Sequence, residues 1–372
     1  ANPYFVRMAS SPQTTVIADA IAQQPSFVSV WIGNNDVLGY ATTGGDGTDP
    51  ITPMAGPLGT GFEQTYQALV GSLVDNIPNV QGIIANIPNV TAIPHFTTVP
   101  HNPLDPSDPD FAAQIPTLNS IFGALNQVFT ALGQPDRIIE FSTDSANPLV
   151  IIDENLSDVS AQIAGALTPN PNFIALVESF GLPAQAAPIV AGLLGDTYDQ
   201  ARQATEEDLF VLPSSSVIGE VNTDRVADLM ASGLSQQLAG QFSVEGITLP
   251  LEDKWVLLPE EQEEIAVATA QFNQVISQVA SSTGFALLDA NALLDQLAAT
   301  GIESNNLRLS SNLVTGGAFS LDGVHPNSRG YALIANEMLK AIDNTYGTNF
   351  EASGNLVDVS DYKTTYSPGL LQ

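Results

Sequence analysis

Phe27-Val28-Ser29-Val30-Trp31-Ile32 is a run of strand-forming residues that stops abruptly at Gly33-Asn34-Asn35-Asp36, and it narrows the choice of fold more than any other segment. A short apolar run bounded by a polar turn suits a buried strand feeding a loop. A loop rich in Gly, Thr, Asp and Pro is expected over 36–62. Beyond it, Phe62, Tyr66, Leu69, Val70, Leu73, Val74 and Ile77 recur at helical spacing. Gly82-Ile83-Ile84-Ala85-Asn86-Ile87 then reads as a second buried strand, ending in Pro88-Asn89. Strand, helix and strand form a βαβ unit, which implies a parallel sheet covered by helices. In such a sheet ligands bind outside the carboxyl ends of the strands, where Asn35 and Asp36 lie. An Asn amide placed there can donate to a developing oxyanion, although Gly-Asn-Asn-Asp is also an ordinary turn sequence.

The same pattern returns near the other end. Pro259 and Glu260, Glu261, Glu263 and Glu264 favour a helix N-terminus, with Ile265, Ala268, Phe272, Val275, Ile276 and Val279 on one face. Phe285-Ala286-Leu287-Leu288-Asp289 is expected to be the last parallel strand. Asp322-Gly323-Val324-His325-Pro326-Asn327 follows as a turn, leading into a helix with Tyr331, Ile334, Ala335, Met338 and Ile342 as its buried stripe. The turn sets a carboxylate three positions from an imidazole. A histidine that takes a proton from a nucleophile needs one ring nitrogen facing it and the other held by an acceptor, and Asp322 is close enough to His325 to be that acceptor. The hexapeptide also suits a surface Asp-Gly turn closed by Pro326.

The intervening chain is too long for one crossover. It shows helical patterns over 111–132, 161–167 and 174–194 and β-like pieces at 137–141, 149–152 and 209–212. The organisation expected is therefore an N-terminal core segment over 1–92, an inserted, cap-like mixed α/β region over 93–258, a C-terminal core segment over 259–350, and a tail over 351–372 forming a surface strand, linker or frayed end. His95 and His101, in the Pro-rich start of the insertion, are the only histidines besides His325; substrate contact, a metal and neither all stay open for them.

Charge narrows the partners. Forty acidic residues against nine basic ones give a net charge of −31, which disfavours nucleic acid, anionic membranes and highly charged esters. The absence of cysteine excludes disulfides, thiol catalysis and cysteine-ligated zinc. No window of 18 uninterrupted apolar residues predicts a transmembrane helix, and Ala1-Asn2-Pro3-Tyr4-Phe5 lacks a basic region followed by an apolar run.

Together the two polar segments resemble the SGNH/GDSL hydrolase family. Trp31-Ile32-Gly33-Asn34-Asn35-Asp36-Val37-Leu38-Gly39 is similar to its Gly-x-Asn-Asp block, and Gly316-Gly317-Ala318-Phe319-Ser320-Leu321-Asp322-Gly323-Val324-His325-Pro326 to its closing Asp-x-x-His block, both in the bacterial lipase-like and esterase branch. The resemblance runs from Asn2 to about Ala341, its middle held by pattern alone. It implies a three-layer, doubly wound, flavodoxin-like α/β fold and ester hydrolysis through a serine acyl-enzyme, with neither cofactor nor metal, in an extracellular, periplasmic or cell-surface protein. Asn35 becomes the oxyanion donor, His325 the general base and Asp322 its orienting partner. Gly33 and Asp36 are expected on the substrate side, with Asp36 hydrogen-bonding the loop backbone to position Asn35. The implied substrate is a small neutral ester, a lipid or an acylated carbohydrate.

The chain departs from the family at the nucleophile. The family's Gly-Asp-Ser block precedes Gly-x-Asn-Asp, whereas the 32 residues before Gly33 offer only Ser10 and Ser11 in Met8-Ala9-Ser10-Ser11-Pro12, outside any strand-end arrangement. The family's second block, with its oxyanion-hole glycine, is also not visible. Gly195-Asp196-Thr197 lies in a helical pattern and Thr143-Asp144-Ser145 lacks the glycine. The expectation is that the sequence starts inside the domain, leaving strand 27–32 to pair with a missing N-terminal segment or another chain. The alternative is a non-catalytic carbohydrate- or protein-binding member that has lost its serine.

Overall fold

The computed structural model describes residues 4–364 and 366. The chain divides into two compact units, Ala1–Ala41 with Gly47–Thr97 and Glu260–Gln372, and Thr42–Asp46 with Thr98–Pro259. The changeovers thus fall at 97/98 and 259/260, against the expected 92/93 and 258/259.

The first unit holds a three-stranded parallel sheet, β1 (Phe27–Val30), β2 (Gln81–Ala85) and β3 (Ala286–Leu288), in spatial order β1-β2-β3. Its helices are α1 (Val16–Ala22), α2 (Asn35–Thr42), α3 (Phe62–Asn76), α4 (Pro94–Thr97), α5 (Pro259–Thr283), α6 (Ala290–Ala299) and α7 (Ser328–Tyr346). Alternation along the strands puts Ile83, Ala85, Ala286 and Leu288 on one face, where Ile334, Met338, Ala341 and Ile342 of α7 pack. The Tyr346 hydroxyl fixes the end of α7 to β2, donating to the Gly82 carbonyl at 2.8 Å and accepting from the Gly82 amide at 3.0 Å. α3 and α5 are the helices that connect β1 to β2 and β2 to β3, and they pack on each other. Phe62 of α3 stacks on Phe272 of α5 with ring centroids 4.0 Å apart and on Tyr66 at 5.4 Å.

Several expectations change on contact with the structure. The strand at 27–32 is not buried: only Phe27–Val30 is strand, none of its residues is fully covered, and Phe27 and Ile32 are 38% and 47% exposed. The reason is its position, because among the described residues β1 is hydrogen-bonded only by β2. The loop expected over 36–62 begins with α2, whose Val37 and Ala41, one turn apart, are both fully buried. The stripe of α7 is rotated: Tyr331 is 50% exposed and Ala335 is also exposed, while Ala332, Leu333 and Asn336 are buried. Asn336 turns inward because its amide pairs with both main-chain groups of Val357, each at 2.9 Å. The tail is thereby tied to α7 and buries Val359 completely, so it does not fray there; residues 365 and 367–372 of the expected tail lie outside the described residues.

The second unit is mixed. Val150–Ile152 pairs antiparallel with Ala201–Gln203, and Leu209–Phe210 with Val256–Leu257, against a core that includes Phe122, Phe129, Tyr198 and Phe210. The segment 137–141 forms no strand. The Asn126 side chain instead pairs with both main-chain groups of Ile139, and Asn119 with those of Phe141, at 2.8–2.9 Å, replacing a neighbouring strand by two amides. Arg137 is almost completely buried and donates to the carbonyls of Ala201, Ser157, Tyr198 and Asp199, so its charge is met by main-chain dipoles. Among the described residues no single helix is long and apolar enough to cross a membrane, and the one bent pair of suitable composition, Pro171–Ser179 with Ala184–Tyr198, contributes to this core.

Phe62→Ala should cost about 3–5 kcal/mol of stability, the usual result of emptying a buried aromatic site. Urea denaturation of parent and variant measures it, and a loss below roughly 1 kcal/mol would mean that the stack does not hold α3 to α5.

Candidate functional site

At the carboxyl end of β1 the chain turns sharply into α2. Gly33 makes the turn with φ +119°, and a Cβ there would lie 3.0 Å from Ile87 and 3.3 Å from Phe62. The carbonyls of Gly33 and Asn34 accept from the amides of Asp36 and Leu38, at 3.0 and 2.9 Å, and start the helix. Asn35, its first residue, is exposed, and among the described residues its side-chain amide makes no hydrogen bond.

The ends of β2 and β3 are locked by side-chain amides. Asn273 of α5 pairs with both main-chain groups of Ile87 at 2.8 Å, and Asn86 donates to Asp289 at 2.9 Å while accepting from the Asn291 amide at 3.0 Å. These polar residues close strands whose last main-chain groups have no further ladder.

Asp322 and His325 sit on a loop tied off at its base. The Ser320 amide donates to the His325 carbonyl at 2.8 Å, and the Gly323 amide to the Ser320 carbonyl at 3.1 Å. Asn327 anchors the exit: its Oδ1 caps α7 by accepting from Arg329 and Gly330, and its Nδ2 donates to the Gly317 and Phe319 carbonyls at 3.0 Å. Within this frame Asp322 Oδ1 accepts from the Ser320 hydroxyl at 2.6 Å and from the Val324 and His325 amides at 2.9 and 3.0 Å. Its Oδ2 lies 2.8 Å from His325 Nδ1. A carboxylate accepts, so Nδ1 carries a proton, which in the neutral ring leaves the lone pair on Nε2. Partial burial pushes the Asp322 carboxyl up, but the bonds from Ser320, the Val324 amide and the His325 ring and amide outweigh it. The net result is a carboxyl well below the usual range. Both side chains are open to solvent, His325 being 69% exposed.

Asn35 and His325 border one cavity of about 260 Å³, with Trp31, Leu38, Leu294, Phe319 and Tyr331 among its apolar walls. Trp31 Nε1 and Asn34 Oδ1, from residues of the same wall, are buried without a hydrogen-bond partner among the described residues. Among the described residues the wall contains neither serine nor threonine. Comparisons with protein-family models, curated proteins and solved structures found no match for this chain. The reading of the site therefore rests on its own geometry.

Gly33 and Asp36 border a second hollow of about 160 Å³ with Thr52, Gly61, Phe62 and Tyr66. Asp36 does meet the loop, but through its main-chain carbonyl, which accepts from the Thr52 amide at 3.0 Å; among the described residues its carboxylate makes no hydrogen bond. Ser10 is occupied elsewhere, its hydroxyl and amide donating to Asp19 at 2.5 and 2.9 Å. His101 belongs to the second unit, where its carbonyl accepts from Leu149. His95 behaves differently. It is buried in the first unit against the Asp322–Gly323 peptide, with Nδ1 3.2 Å from the Asp322 carbonyl. Sequence reading missed Ser320, Asn327 and this contact; the Ser-x-Asp spacing and the Asn directly after Pro326 were the local signals for the first two.

The depressed Asp322 carboxyl contributes stability that is fully present above the ordinary carboxylate value of about 3.9 and lost as pH falls through the lower folded value. Carbonyl-carbon NMR should find its midpoint below about 3.9, and Ser320→Ala should raise it. A midpoint at the ordinary value in the parent would show that the four hydrogen bonds do not form in solution.

Proposed function

We propose that this chain carries the Asp–His pair and an oxyanion donor of a serine ester hydrolase of the SGNH/GDSL kind, with a doubly wound, flavodoxin-like core. The observation that carries this reading is the 2.8 Å contact between Asp322 Oδ2 and His325 Nδ1 beside a cavity that Asn35 also borders. In the reaction His325 Nε2 takes the proton of a serine hydroxyl as its oxygen attacks the ester carbonyl. Asn35 donates to the tetrahedral oxyanion, and the imidazolium returns its proton to the departing alcohol. Water repeats the sequence on the acyl-enzyme. Asp322 holds the ring and offsets its charge. Asp36 keeps the start of α2 in place through its carbonyl.

The serine comes from outside the described fold, on a strand added parallel to the free edge of β1. Two observations support this. Among the described residues β1 has one hydrogen-bonded neighbour, leaving alternate main-chain groups of its other edge open to a further strand, and its Phe27 and the following Ile32 are exposed. The cavity also holds base and oxyanion donor without a serine or threonine in its wall. The apolar wall and the net charge of −31 favour neutral esters, lipid or acylated carbohydrate, in a secreted or cell-surface setting. The serine-free wall is also the observation that favours the other reading, a non-catalytic carbohydrate or protein binder.

Turnover of a neutral chromogenic ester separates the two. The 372-residue chain should hydrolyse it at the background rate, and a polypeptide in which a further segment supplies the serine should be active. In the active form His325→Ala should abolish nearly all turnover, Asn35→Ala should lower kcat by roughly 10²–10³-fold, and Asp322→Asn should be severe yet milder than His325→Ala. Unchanged activity in His325→Ala would sink the mechanism. Serine-reagent-sensitive activity in the 372-residue chain would place the nucleophile within it.

A further inference from the structure

His95 is the one histidine buried against the proposed catalytic loop, and the hydrolytic steps above do not use it. It lies in α4, just after the 3₁₀ turn Val90–Ala92 that follows β2, and its ring packs edge-on against the fully buried Phe96 at 5.0 Å. Two of its groups reach consecutive peptide units, 227 and 228 residues away in sequence. The His95 amide donates to the Gly323 carbonyl at 3.0 Å, and Nδ1 lies 3.2 Å from the Asp322 carbonyl. A carbonyl only accepts, so Nδ1 bears hydrogen and Nε2 is the bare acceptor, buried without a partner among the described residues. The fit is close from the other side as well: Gly323 has φ +72°, and a Cβ there would stand 2.8 Å from the His95 amide nitrogen. Burial draws the imidazole below its usual range, and the bond and charge of Asp322 pull only weakly the other way, so the ring is neutral at ordinary pH.

The carboxylate of Asp322 and the carbonyls of Asp322 and Gly323 project from adjacent backbone units. Holding the two carbonyls fixes φ and ψ of Gly323, and with them the turn on which Asp322 and His325 stand. We propose that His95 is a positioning residue of the Asp322–His325 pair, clamping consecutive carbonyls of the turn so that Asp322 Oδ2 faces His325 Nδ1. This rests on reading that pair as the base and its orienting acid. It gives the buried ring a task that core packing alone does not require, since an apolar residue of similar size would fill the same space.

The test reads the ring of His325 by nitrogen-15 NMR in the 372-residue chain, where neither nucleophile nor substrate is needed. The parent should show one tautomer, protonated at Nδ1. His95→Leu should lose it, moving His325 toward the Nε2-protonated form that free imidazole prefers, while the thermal melt stays cooperative. His95→Asn places an amide N–H where Nδ1–H was and should restore the parent spectrum, whereas His95→Gln, which carries its donor farther out, should not. If His95→Leu does not fold, the contrast between His95→Asn and His95→Gln decides. In the serine-bearing polypeptide His95→Leu should lower kcat by about 10–10²-fold with KM unchanged. A folded His95→Leu chain, or failing that a His95→Gln chain, with the parent's His325 spectrum overturns the inference. Loss of the tautomer in a protein that hydrolyses no ester leaves the clamp standing and removes the hydrolase reading instead.

Discussion

β2 is the strand on which the first unit depends. Of the three strands of that unit's parallel sheet it is the one hydrogen-bonded on both sides, to β1 through Ser29 and Val30 and to β3 through Ala286 and Leu288. Its residues face α7 on one pleat and the opposite helical layer on the other, and its amide and carbonyl at Gly82 hold the last turn of α7. At its carboxyl end Asn86 and Ile87 are gripped by Asp289, Asn291 and Asn273, which come from the strand end, the helix after it and the helix before it. One strand thus sets the distance between the turn after β1 and the loop before α7. Those are the segments that carry Asn35 and His325, about 290 residues apart in sequence.

The site itself is held by main-chain bonds far more than by packing. Asp322 is fixed by bonds from its own loop, that loop is closed by Ser320 and capped by Asn327, and the peptide beneath it is met by His95. Little apolar surface is involved, and both members of the pair remain open to water. Rigidity of this kind depends on donors and acceptors being in place, so it is lost stepwise as single groups are removed.

Local patterns carried much of this into the sequence. The helical stripe from Phe62 to Ile77 and the apolar run of β2 are visible because neighbouring residues decide them, and the three-residue spacing of Asp322 and His325 sets up their contact within one turn. Features set by distant partners were hidden. The apolar run Phe27-Val28-Ser29-Val30 reads as buried by itself; its single neighbour was expected only because no Gly-Asp-Ser block precedes it. The helix at Asn35–Thr42 was obscured by Gly39 and by having only two fully buried residues, Val37 and Ala41. Ile139 and Phe141 look β-like, yet two asparagines on a helix take the place of a strand. His95 could not be assigned because its partner lies 227 residues away.

A half-paired, partly apolar strand at the surface is a template for the same strand in another molecule. The chain's charge bears on this hazard. At −31, two copies approaching edge to edge repel each other before their backbones can meet, and the scarcity of lysine and arginine leaves few cations on the neighbouring copy to relieve it. That protection is colloidal, and mobile ions weaken it: the repulsion reaches about 30 Å at 0.01 M salt but only about 8 Å at 0.15 M. Solubility of this chain should therefore be a property of the solvent as much as of the fold, with added salt drawing the β1 edges together and dilution of the buffer holding them apart.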